Sequence, residues 1–424
     1  MSREIEVFLD LNGTTRIVGR LWSRSIKGRE SASFQYHEDW VNSELRFPLE
    51  PLLTIDTGTH HTQPGKPLFG AIGDSAPDRW GRSLMRRAER RAAQREGRAS
   101  RTLLEIDYLT LVTDDIRQGA LRFREVGGAE FLAHGEPAIP PLVELPRLLA
   151  ASENVLAHKD SDEDLRILLA PGSSLGGARP KAAVVDKDGT LAIAKFPHSG
   201  DEYQVELWSC ATLSLARKAG LHVPAYRMVE VGEQRILLTQ RFDRDRGQRI
   251  PFLSAMSMIA AGDNETHSYL ELVDAIRRYG ADVQHDLPEL WRRVLFNVLV
   301  SNSDDHLRNH GFLYDISGHG WRLSPVYDLN PLPIDIKPRV LSLMIDDQES
   351  TATFSLVLEV GEYFGLTAAE MKAITREVAT AVSGWRKVAN DLGISRDEIN
   401  RMASAFEHEE TKRASEYGRA ARTG

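Results

Sequence analysis

A polar stretch in the second half of the chain carries the residue types of a phosphoryl-transfer site. Asp304, Asp305, His306 and Asn309 follow a long apolar run, and Asp328 comes soon afterwards on a second one. In such a site one aspartate takes the proton of the acceptor hydroxyl, while an amide oxygen and a second carboxylate are hard ligands for Mg²⁺. The order and spacing therefore favour Mg²⁺-dependent phosphoryl transfer over a polar loop whose Asp and Asn side chains only cap helices.

Two earlier stretches suit the phosphates of a nucleotide. The segment 173–181, SSLGGARPK, is rich in small residues, which let backbone N–H groups approach phosphates closely. Lys195 lies near the end of an apolar run with strand propensity, and in kinases a strand lysine holds the α- and β-phosphates of ATP. Each stretch alone has an alternative: an ordinary surface loop for the first and an edge-strand lysine that faces water for the second.

The elements that must position these residues change character along the chain. Residues 4–10 alternate between apolar and polar before the turn signal Asn12-Gly13, which predicts a hairpin. Residues 170–245 predict a loop, a hairpin, a helix over 203–219 and a second hairpin. Beyond this region the apolar residues recur with the 3.6-residue helical period. A β-rich first half followed by a helical second half predicts an α+β fold with two lobes.

The composition is that of a globular protein, with 42% hydrophobic and 27% charged residues among 424. The single cysteine, Cys210, excludes an intrachain disulfide and a Cys-based zinc site. No run approaches the roughly 18 apolar residues of a membrane helix, and the N-terminus has no apolar stretch of signal-peptide type. We therefore expect a cytoplasmic protein with no membrane partner. The formal charge of −8 argues against the whole chain being a polyanion binder.

Residues 82–101 form a basic segment inside this acidic protein. Eight arginines there face only two glutamates, Glu89 and Glu96. One interpretation is a solvated helix face held by Glu–Arg pairs. The other is a surface for DNA phosphates, RNA or an acidic partner. The arginines are Arg82, Arg86, Arg87, Arg90, Arg91, Arg95, Arg98 and Arg101.

The chain resembles the HipA family of serine/threonine kinase toxins. The resemblance covers nearly the whole length, because a series of motifs follows the family order. SDDHLRN is similar to the family's TDGHxKN catalytic loop, and RFDR is similar to its interlobe hinge. The motifs are PDRWGR, TDDIRQGALRF, SSLGGARPK, AIAKFP, GLHVP, TQRFDR, SDDHLRN and PVYDLNP.

The resemblance implies a role for each candidate residue. Asp304 is the implied base, His306 lies beside the phosphates, and Asn309 and Asp328 bind Mg²⁺. Ser174 aligns with the family's autophosphorylated serine, whose modification ejects the phosphate loop and inactivates the kinase. A phosphate there would add nearly two negative charges beside the ATP phosphates. The implied ATP contacts are Gly176, Gly177, Ala178, Arg179, Pro180 and Lys181 in the phosphate loop, Lys195, and the hinge residues Gln240, Arg241 and Phe242.

The chain departs from the family pattern in the catalytic loop and the hinge. Asp305 stands where the family has glycine, so two carboxylates are adjacent and the base is either Asp304 or Asp305. Arg308 replaces a lysine, and Gln240 stands where the hinge often has a glutamate.

The acid that would pair with Lys195 is a second open point. Glu202 and Glu206 are both candidates. Ser209 occupies one of the aligned positions.

The resemblance also implies the domain organisation: a protein-kinase-like fold with a β-rich N-terminal lobe and an all-α C-terminal lobe. We expect a β-rich subdomain with the basic helix over 1–136 and a kinase N-lobe with phosphate loop and hinge over 137–245. The helical C-lobe with the catalytic and Mg²⁺-binding loops follows over 246–424. The first joint coincides with four prolines in residues 137–147.

The implied activity is that of an ATP- and Mg²⁺-dependent serine/threonine protein kinase that arrests growth as the toxin of a toxin–antitoxin pair. The implied partners are a HipB-like helix-turn-helix antitoxin dimer and, through that complex, operator DNA, with the segment Arg82–Arg101 as a surface for DNA. The target class known for the family is an aminoacyl-tRNA synthetase, notably the glutamyl enzyme.

Two other functions compete with this interpretation. A small-molecule kinase similar to the aminoglycoside phosphotransferases would share the Asp…Asn…Asp order, but the β-rich N-terminal module and SSLGGARPK argue against it. A degraded kinase kept as a binding or co-repressor module is the second. Its argument is weakened because Lys195, Asp304, Asn309 and Asp328 are all intact.

Overall fold

The computed structural model of the protein describes residues 2–133, 139–169, 177–263 and 265–419. Its internal contacts divide the chain into two compact units, each built from two stretches of sequence. The first unit comprises the described residues up to Gly200 together with Val229–Gly262. The second comprises Asp201–Met228 and the described residues from Asp263 onwards. The expected boundaries after residues 136 and 245 stay a prediction.

Strands occur in both halves of the sequence, and long helices concentrate in the second. The strands are β1 (Ser2–Leu11), β2 (Thr14–Ile26), β3 (Arg29–Tyr36), β4 (Thr59–His61), β5 (Leu121–Glu125), β6 (Lys181–Val185), β7 (Leu191–Lys195), β8 (Tyr226–Val231), β9 (Gln234–Gln240), β10 (Arg244–Asp245), β11 (Gln248–Arg249), β12 (Phe252–Ser254), β13 (Gly311–Asp315) and β14 (Gly320–Leu323). The α-helices are α1 (Glu38–Val41), α2 (Gly70–Gly73), α3 (Arg79–Arg95), α4 (Glu105–Leu111), α5 (Leu145–Leu156), α6 (Asp162–Leu169), α7 (Val205–Lys218), α8 (Ala255–Met258), α9 (Tyr269–Tyr279), α10 (Val283–Leu299), α11 (Phe354–Glu359), α12 (Ala368–Ser383), α13 (Trp385–Asp391), α14 (Arg396–Phe406) and α15 (Glu409–Arg419). Short 3-10 helices cover Asp114–Ile116, Leu142–Glu144, Leu307–Asn309 and Gly361–Phe364. No helix among the described residues has the length and apolarity to cross a membrane.

The N-terminal sheet is antiparallel and has the strand order β4–β3–β2–β1–β5. The predicted hairpin between β1 and β2 is confirmed. Asn12 and Gly13 both have positive φ angles, of 52° and 73°, as a two-residue hairpin turn with the twist of the flanking strands requires. The register shifts between Val7 and Phe8, where a bulge interrupts the ladder.

The second sheet of this unit places Lys195 beside the end of the candidate phosphate loop. Strand β7 pairs antiparallel with both β6 and β9. Lys195, the last residue of β7, is opposite Lys181 on one side and Leu237 on the other. The predicted turn between β6 and β7 is confirmed, with Gly189 at a φ of 82°. Apolar residues of β6, β7, β9 and α5 pack with Trp80 in one buried cluster.

The second unit is built mainly from helices, as predicted, and α12 packs against α7, α10 and α15. The helix predicted over 203–219 is α7, which ends before Gly220 at a φ of 79°. The expectation that this part is all-α is wrong in one respect. Strands β13 and β14 form an antiparallel hairpin directly after the candidate catalytic loop. These strands are five and four residues long, too short for periodicity to separate them from a helical segment.

Candidate active site

The candidate catalytic loop runs from the end of α10 to the start of β13. Ser301 has a φ of 52°, which turns the chain out of the helix, and its hydroxyl donates to the Ala405 carbonyl at 2.9 Å. The Asn302 N–H donates to the Asn297 carbonyl at 2.9 Å. Because residues 301–303 are buried and hydrogen-bonded, the loop begins from a fixed point of the second unit.

The second aspartate of the loop, Asp305, is buried, with 2% of its side chain exposed. Its Oδ2 accepts hydrogen bonds from the Tyr269 hydroxyl, from His310 Nε2 at 2.7 Å and from Asn297 Nδ2 at 3.0 Å. Burial by itself would raise the pKa of this carboxyl, but the charge of His310 and the hydrogen bonds of His310 and Tyr269 outweigh burial, and the pKa is lowered. Asp305 is therefore a carboxylate held inside the unit.

The first aspartate, Asp304, has the opposite environment. Its side chain is 68% exposed, and its Oδ1 lies 3.3 Å from the Nζ of Lys337. An exposed carboxylate at this point is accessible to the hydroxyl of an incoming acceptor. His306 is exposed next to it, and Arg308, also exposed, pairs with Asp263 at 2.7 Å.

The predicted Mg²⁺ ligand Asn309 is buried, and half of its amide is free. Its Nδ2 donates to the Asp304 carbonyl at 3.3 Å, while its Oδ1 has no hydrogen-bond partner among the described residues. A buried carbonyl oxygen without a partner carries a free-energy cost unless another group satisfies it, and a hard cation has the right chemistry. The Oδ1 of Asn309 therefore has the chemistry of a Mg²⁺ ligand.

The second predicted ligand, Asp328, follows β14 and is half-buried. Its φ of 56° is in the left-handed region, which a non-glycine residue adopts at a cost and which occurs often at functional sites. One carboxylate and one amide oxygen suit Mg²⁺, because this ion usually keeps waters and takes further ligands from substrate phosphates.

The end of the candidate phosphate loop is tied to the start of the basic helix. Lys181 is 2% exposed, and its Nζ pairs with Asp78 Oδ2 at 2.6 Å. Asp78 also caps α3 by accepting from the Gly81 N–H at 2.9 Å. The Trp80 indole N–H donates to the Lys181 carbonyl at 3.1 Å, and the Gly177 carbonyl accepts from the Trp80 N–H at 3.4 Å. The Lys181 ammonium is thus engaged in a structural ion pair, and the motif PDRWGR holds this segment.

The other predicted phosphate-loop residues are placed as follows. Ser174 and Gly176 lie outside the described residues. Gly177 and Ala178 are exposed, and Arg179 is half-buried. The Pro180 carbonyl accepts from the Phe196 N–H at 3.0 Å, next to Lys195, whose side chain is half-buried.

At the predicted hinge, the side chain of Arg241 is buried and hydrogen-bonded within the first unit. Its guanidinium donates to Asp243 at 2.8 Å and to the Arg117 carbonyl at 3.3 Å, and it is 2% exposed. Its N–H donates to the Leu191 carbonyl at 2.9 Å. Gln240 is exposed, and the ring of Phe242 packs against Phe252. Of the three predicted residues, Gln240 therefore has an exposed side chain, and Phe242 has a half-buried one.

The motifs RFDR and TDDIRQGALRF meet in one buried charged network. Asp243 accepts from Arg244 at 2.9 Å and from the Gly119 N–H at 2.8 Å, and Asp114 accepts from Arg122 at 2.6 Å and Arg249 at 3.1 Å. Burial would raise the pKa of Asp243, but the neighbouring arginines hold it well below its usual range. The network therefore joins the two motifs inside the first unit.

Most of the basic segment is neutralised inside the first unit. Six of the eight arginines form ion pairs with carboxylates, whereas Arg86 and Arg90 have none within ion-pair distance among the described residues and are exposed. Glu–Arg pairs within the segment, as the first interpretation expected, are formed by Arg98 and Arg101 with Glu89 and Glu96, whereas the remaining paired arginines contact acids of other segments. The pairs are Arg82–Glu105, Arg87–Asp160, Arg91–Asp160, Arg95–Asp162, Arg98–Glu89 and Arg101–Asp107.

The two candidate acids for Lys195 differ in their burial. Glu202 is exposed and pairs with Arg401. Glu206 is buried in the first turn of α7, and Ser209 donates to the Leu329 carbonyl at 3.3 Å. Which of the two acids pairs with Lys195 stays a prediction.

Sequence reasoning missed the residues that surround the two aspartates of the candidate catalytic loop. Tyr269, Asn297 and His310 support Asp305, and Lys337 contacts Asp304. Asn297 left one signal, a polar residue inside an otherwise apolar helical run. Tyr269 and Lys337 left none, because they lie 36 and 33 residues from the aspartates that they contact.

Comparison with known proteins agrees with the motif order. Residues 173–385, half of the chain, match the family model described as the HipA-like C-terminal domain. A Haemophilus influenzae protein named "Putative kinase" is 26% identical over 225 residues, 46% of this chain and 64% of that protein, which is less than two thirds of its length. A Sinorhizobium fredii protein named "Putative kinase Y4mE" is 23% identical over 439 residues, 92% of this chain and 97% of that protein.

A solved structure shows the fold. A chain in the Shewanella oneidensis MR-1 complex of HipA, HipB and operator DNA superposes with a TM-score of 0.64 and 16% identity, over 98% of this chain and 96% of that one. The predicted protein-kinase-like fold of HipA type is thus confirmed, apart from the hairpin noted above. Since the family model covers half of the chain, the protein belongs to the HipA family.

Proposed function

We propose that the protein is an ATP- and Mg²⁺-dependent serine/threonine protein kinase that acts as the toxin of a toxin–antitoxin pair. The observation that carries the proposal is that the polar side chains of the loop SDDHLRN have different environments. Asp304 is exposed, Asp305 is buried under Tyr269 and His310, and the buried Oδ1 of Asn309 has no partner among the described residues. An exposed carboxylate beside an unsatisfied amide oxygen suits phosphoryl transfer.

In the proposed reaction Asp304 accepts the proton of a Ser or Thr hydroxyl while the hydroxyl oxygen bonds to the γ-phosphorus of ATP. The bond from that phosphorus to the β–γ bridging oxygen breaks, and ADP leaves with the electron pair. Asn309 and Asp328 would hold Mg²⁺, which neutralises charge on the phosphates when it is bound. The buried hydrogen bonds of Asp305 keep the loop in place during the reaction.

The test is transfer of the γ-phosphate from labelled ATP, in Mg²⁺ and in EDTA. We expect transfer only with Mg²⁺. Asp328→Asn should weaken Mg²⁺-ATP binding, because it removes a metal ligand. Asp391→Asn, at an exposed carboxylate that pairs with Lys387, is the matched control and should match wild type. Wild-type protein that transfers no phosphate to itself, to a protein or to water would overturn the proposal.

We also propose a HipB-like helix-turn-helix antitoxin dimer as the partner, with operator DNA reached through that complex. The support is the family membership and the Shewanella oneidensis complex, which contains HipA, HipB and operator DNA. The protein should co-purify with a small helix-turn-helix protein encoded beside it, and the pair should bind its operator. Failure of the two co-expressed proteins to associate would contradict this part.

The acceptor class that we propose is an aminoacyl-tRNA synthetase, with the glutamyl enzyme as the first to test, on the basis of the family alone. Labelled phosphate should appear on a Ser or Thr of that synthetase and not on a similar-sized control protein. Phosphate found on an aminoglycoside instead would favour the small-molecule phosphotransferase.

A further inference from the structure

Lys337 lies on the irregular segment after Asp328 and reaches back to the catalytic loop. Its Nζ donates to the Ser303 carbonyl at 2.9 Å, to the Ser342 hydroxyl at 3.2 Å and to Asp304 Oδ1 at 3.3 Å. These are three acceptors for the three N–H bonds of an ammonium group. Two of these hydrogen bonds therefore hold the lysine to Ser303 and Ser342, and the third contacts Asp304.

The anchor itself is well fixed. The Ser303 carbonyl also accepts from the Ser342 N–H and hydroxyl, both at 3.1 Å. The Leu343 N–H donates to the Asp305 carbonyl at 3.0 Å. The segment 342–343 thus runs along the catalytic loop and holds Lys337 beside it.

The cation nearest to Asp304 in the sequence does not take this place. Arg308, four residues away, pairs with Asp263 at 2.7 Å. Among the described residues, Lys337 is the basic group within ion-pair distance of Asp304. It comes from 33 residues later in the chain.

The contact constrains one oxygen of the carboxylate and leaves the other available. Oδ1 of Asp304 accepts from Lys337, and Oδ2 has no hydrogen bond from any described residue, on a side chain that is 68% exposed. A carboxylate held by one oxygen loses rotational freedom about its side chain. Its second oxygen then stays turned to the solvent from which an acceptor hydroxyl arrives.

We propose that Lys337 is a positioning residue that acts through Asp304 in phosphoryl transfer; the inference rests on the proposed function. The hydroxyl proton passes to Oδ2 of Asp304 as the new O–P bond forms and the bond to the β–γ bridging oxygen breaks. Lys337 keeps its proton throughout and gives none to the reaction. Its loss should lower kcat and leave the affinity for ATP unchanged.

The experiment compares Lys337→Met, which keeps the length of the side chain without its charge, with Lys337→Arg. Lys387→Met is the matched control, since Lys387 is an exposed lysine paired with Asp391. Turnover of Mg²⁺-ATP with water as acceptor gives kcat and KM, and calorimetry gives the ATP affinity. Lys337→Met should lose about tenfold to a hundredfold in kcat at an ATP affinity within about twofold of wild type. Lys337→Arg should recover most of that loss, and Lys387→Met should lose nothing.

A double variant separates positioning from general stabilisation. If Lys337 acts through Asp304, then Lys337→Met should add no loss of turnover in an Asp304→Asn background. Ser342→Ala, which removes one anchor, gives a milder version if Lys337→Met unfolds, with a loss of about threefold expected in kcat alone.

The outcomes distinguish this inference from the proposed function. Active wild type together with unchanged kcat in Lys337→Met would overturn the inference alone. An equal loss in the Asp304→Asn background, or failure of Lys337→Arg to recover turnover, would also overturn it. Wild type without any Mg²⁺-ATP turnover would overturn both.

Discussion

The ammonium of Lys181 and the carboxylate of Asp78 form an ion pair of 2.6 Å in which the two side chains are 2% and 6% exposed. The pair joins the first residue of β6 to the residue that caps the basic helix α3. A lysine expected from the sequence to contact ATP phosphates thus also holds the first unit together. Charge and position in a motif were not sufficient to separate these two roles.

The ion pair predicts strong coupling between its partners. Lys181→Met and Asp78→Asn should each lower the free energy of unfolding by about 3 kcal/mol, because each leaves a buried charge without its main partner. The double variant should lose less than the sum of the two. Urea denaturation of the four proteins measures the coupling. Additive losses would show that the two groups do not stabilise one another.

The two adjacent aspartates should separate cleanly in mutagenesis. Asp304→Asn should lower phosphoryl transfer by about a hundredfold or more and leave thermal stability unchanged, because its side chain is exposed. Asp305→Asn should lower the free energy of unfolding by about 3 kcal/mol, because it weakens the buried bonds to Tyr269 and His310. Turnover and melting are measured on both. A stable, inactive Asp305→Asn with an active Asp304→Asn would reverse the assignment.

The buried Glu50 should make the first unit sensitive to pH. Its Oε2 accepts from the Ala71 N–H at 2.7 Å, and burial raises its pKa from 4.5 to about 7, helped by Asp74 and opposed by Lys66. The folded state holds this proton more tightly than the unfolded chain, so stability is fully present below pH 4.5 and is lost as the pH rises to about 7. Relative to Glu50→Gln, wild type should lose about 3 kcal/mol between about pH 5 and pH 8. Urea denaturation of both proteins at both pH values tests this. The prediction is contradicted if the difference in free energy of unfolding between wild type and Glu50→Gln is the same at the two pH values.

The basic helix should divide into two functional groups. Arg86 and Arg90 are exposed without a carboxylate in ion-pair distance among the described residues, whereas Arg87 and Arg91 pair with Asp160. In the proposed antitoxin–operator complex, replacing both Arg86 and Arg90 by Ala should weaken DNA binding. It should also reduce the salt slope, which is the slope of log affinity against log salt concentration, by about 2. The Ala variants of Arg87 and Arg91 should instead lower the melting temperature. If the salt slope is unchanged when Arg86 and Arg90 are replaced, these arginines do not contact the DNA phosphates.

Ser174, which lies outside the described residues, is the proposed site of self-inactivation. A phosphoserine there would compete with ATP for the same N–H donors and repel its phosphates. After incubation with Mg²⁺-ATP, peptide mapping should find one phosphate on Ser174, and activity should fall as it accumulates. Ser174→Ala should stay unmodified, with Ser173 as the neighbouring hydroxyl to check. Modification confined to other residues, or full activity of the phosphorylated protein, would contradict the mechanism.

The amino-acid sequence by itself determined the local elements and the order of the motifs. The turn at Asn12-Gly13 and the helix before Gly220 follow from neighbours within a few residues, where glycine conformation and periodicity act directly. The motif order was enough to identify the family, because it depends on spacing along the chain. The short strands β13 and β14 lacked that local signal and were missed.

Only the tertiary structure decided which charged groups are free. Asp304 and Asp305 have the same side chain and adjacent positions, and they differ because Tyr269 and His310 bury one of them. Lys181 forms an ion pair with Asp78, which is 103 residues away in the sequence, and Lys337 forms one with Asp304, which is 33 residues away. Burial and pairing between distant residues depend on how the elements pack, and no pattern of near neighbours encodes them. The charge that a site can offer is therefore a property of the packed chain.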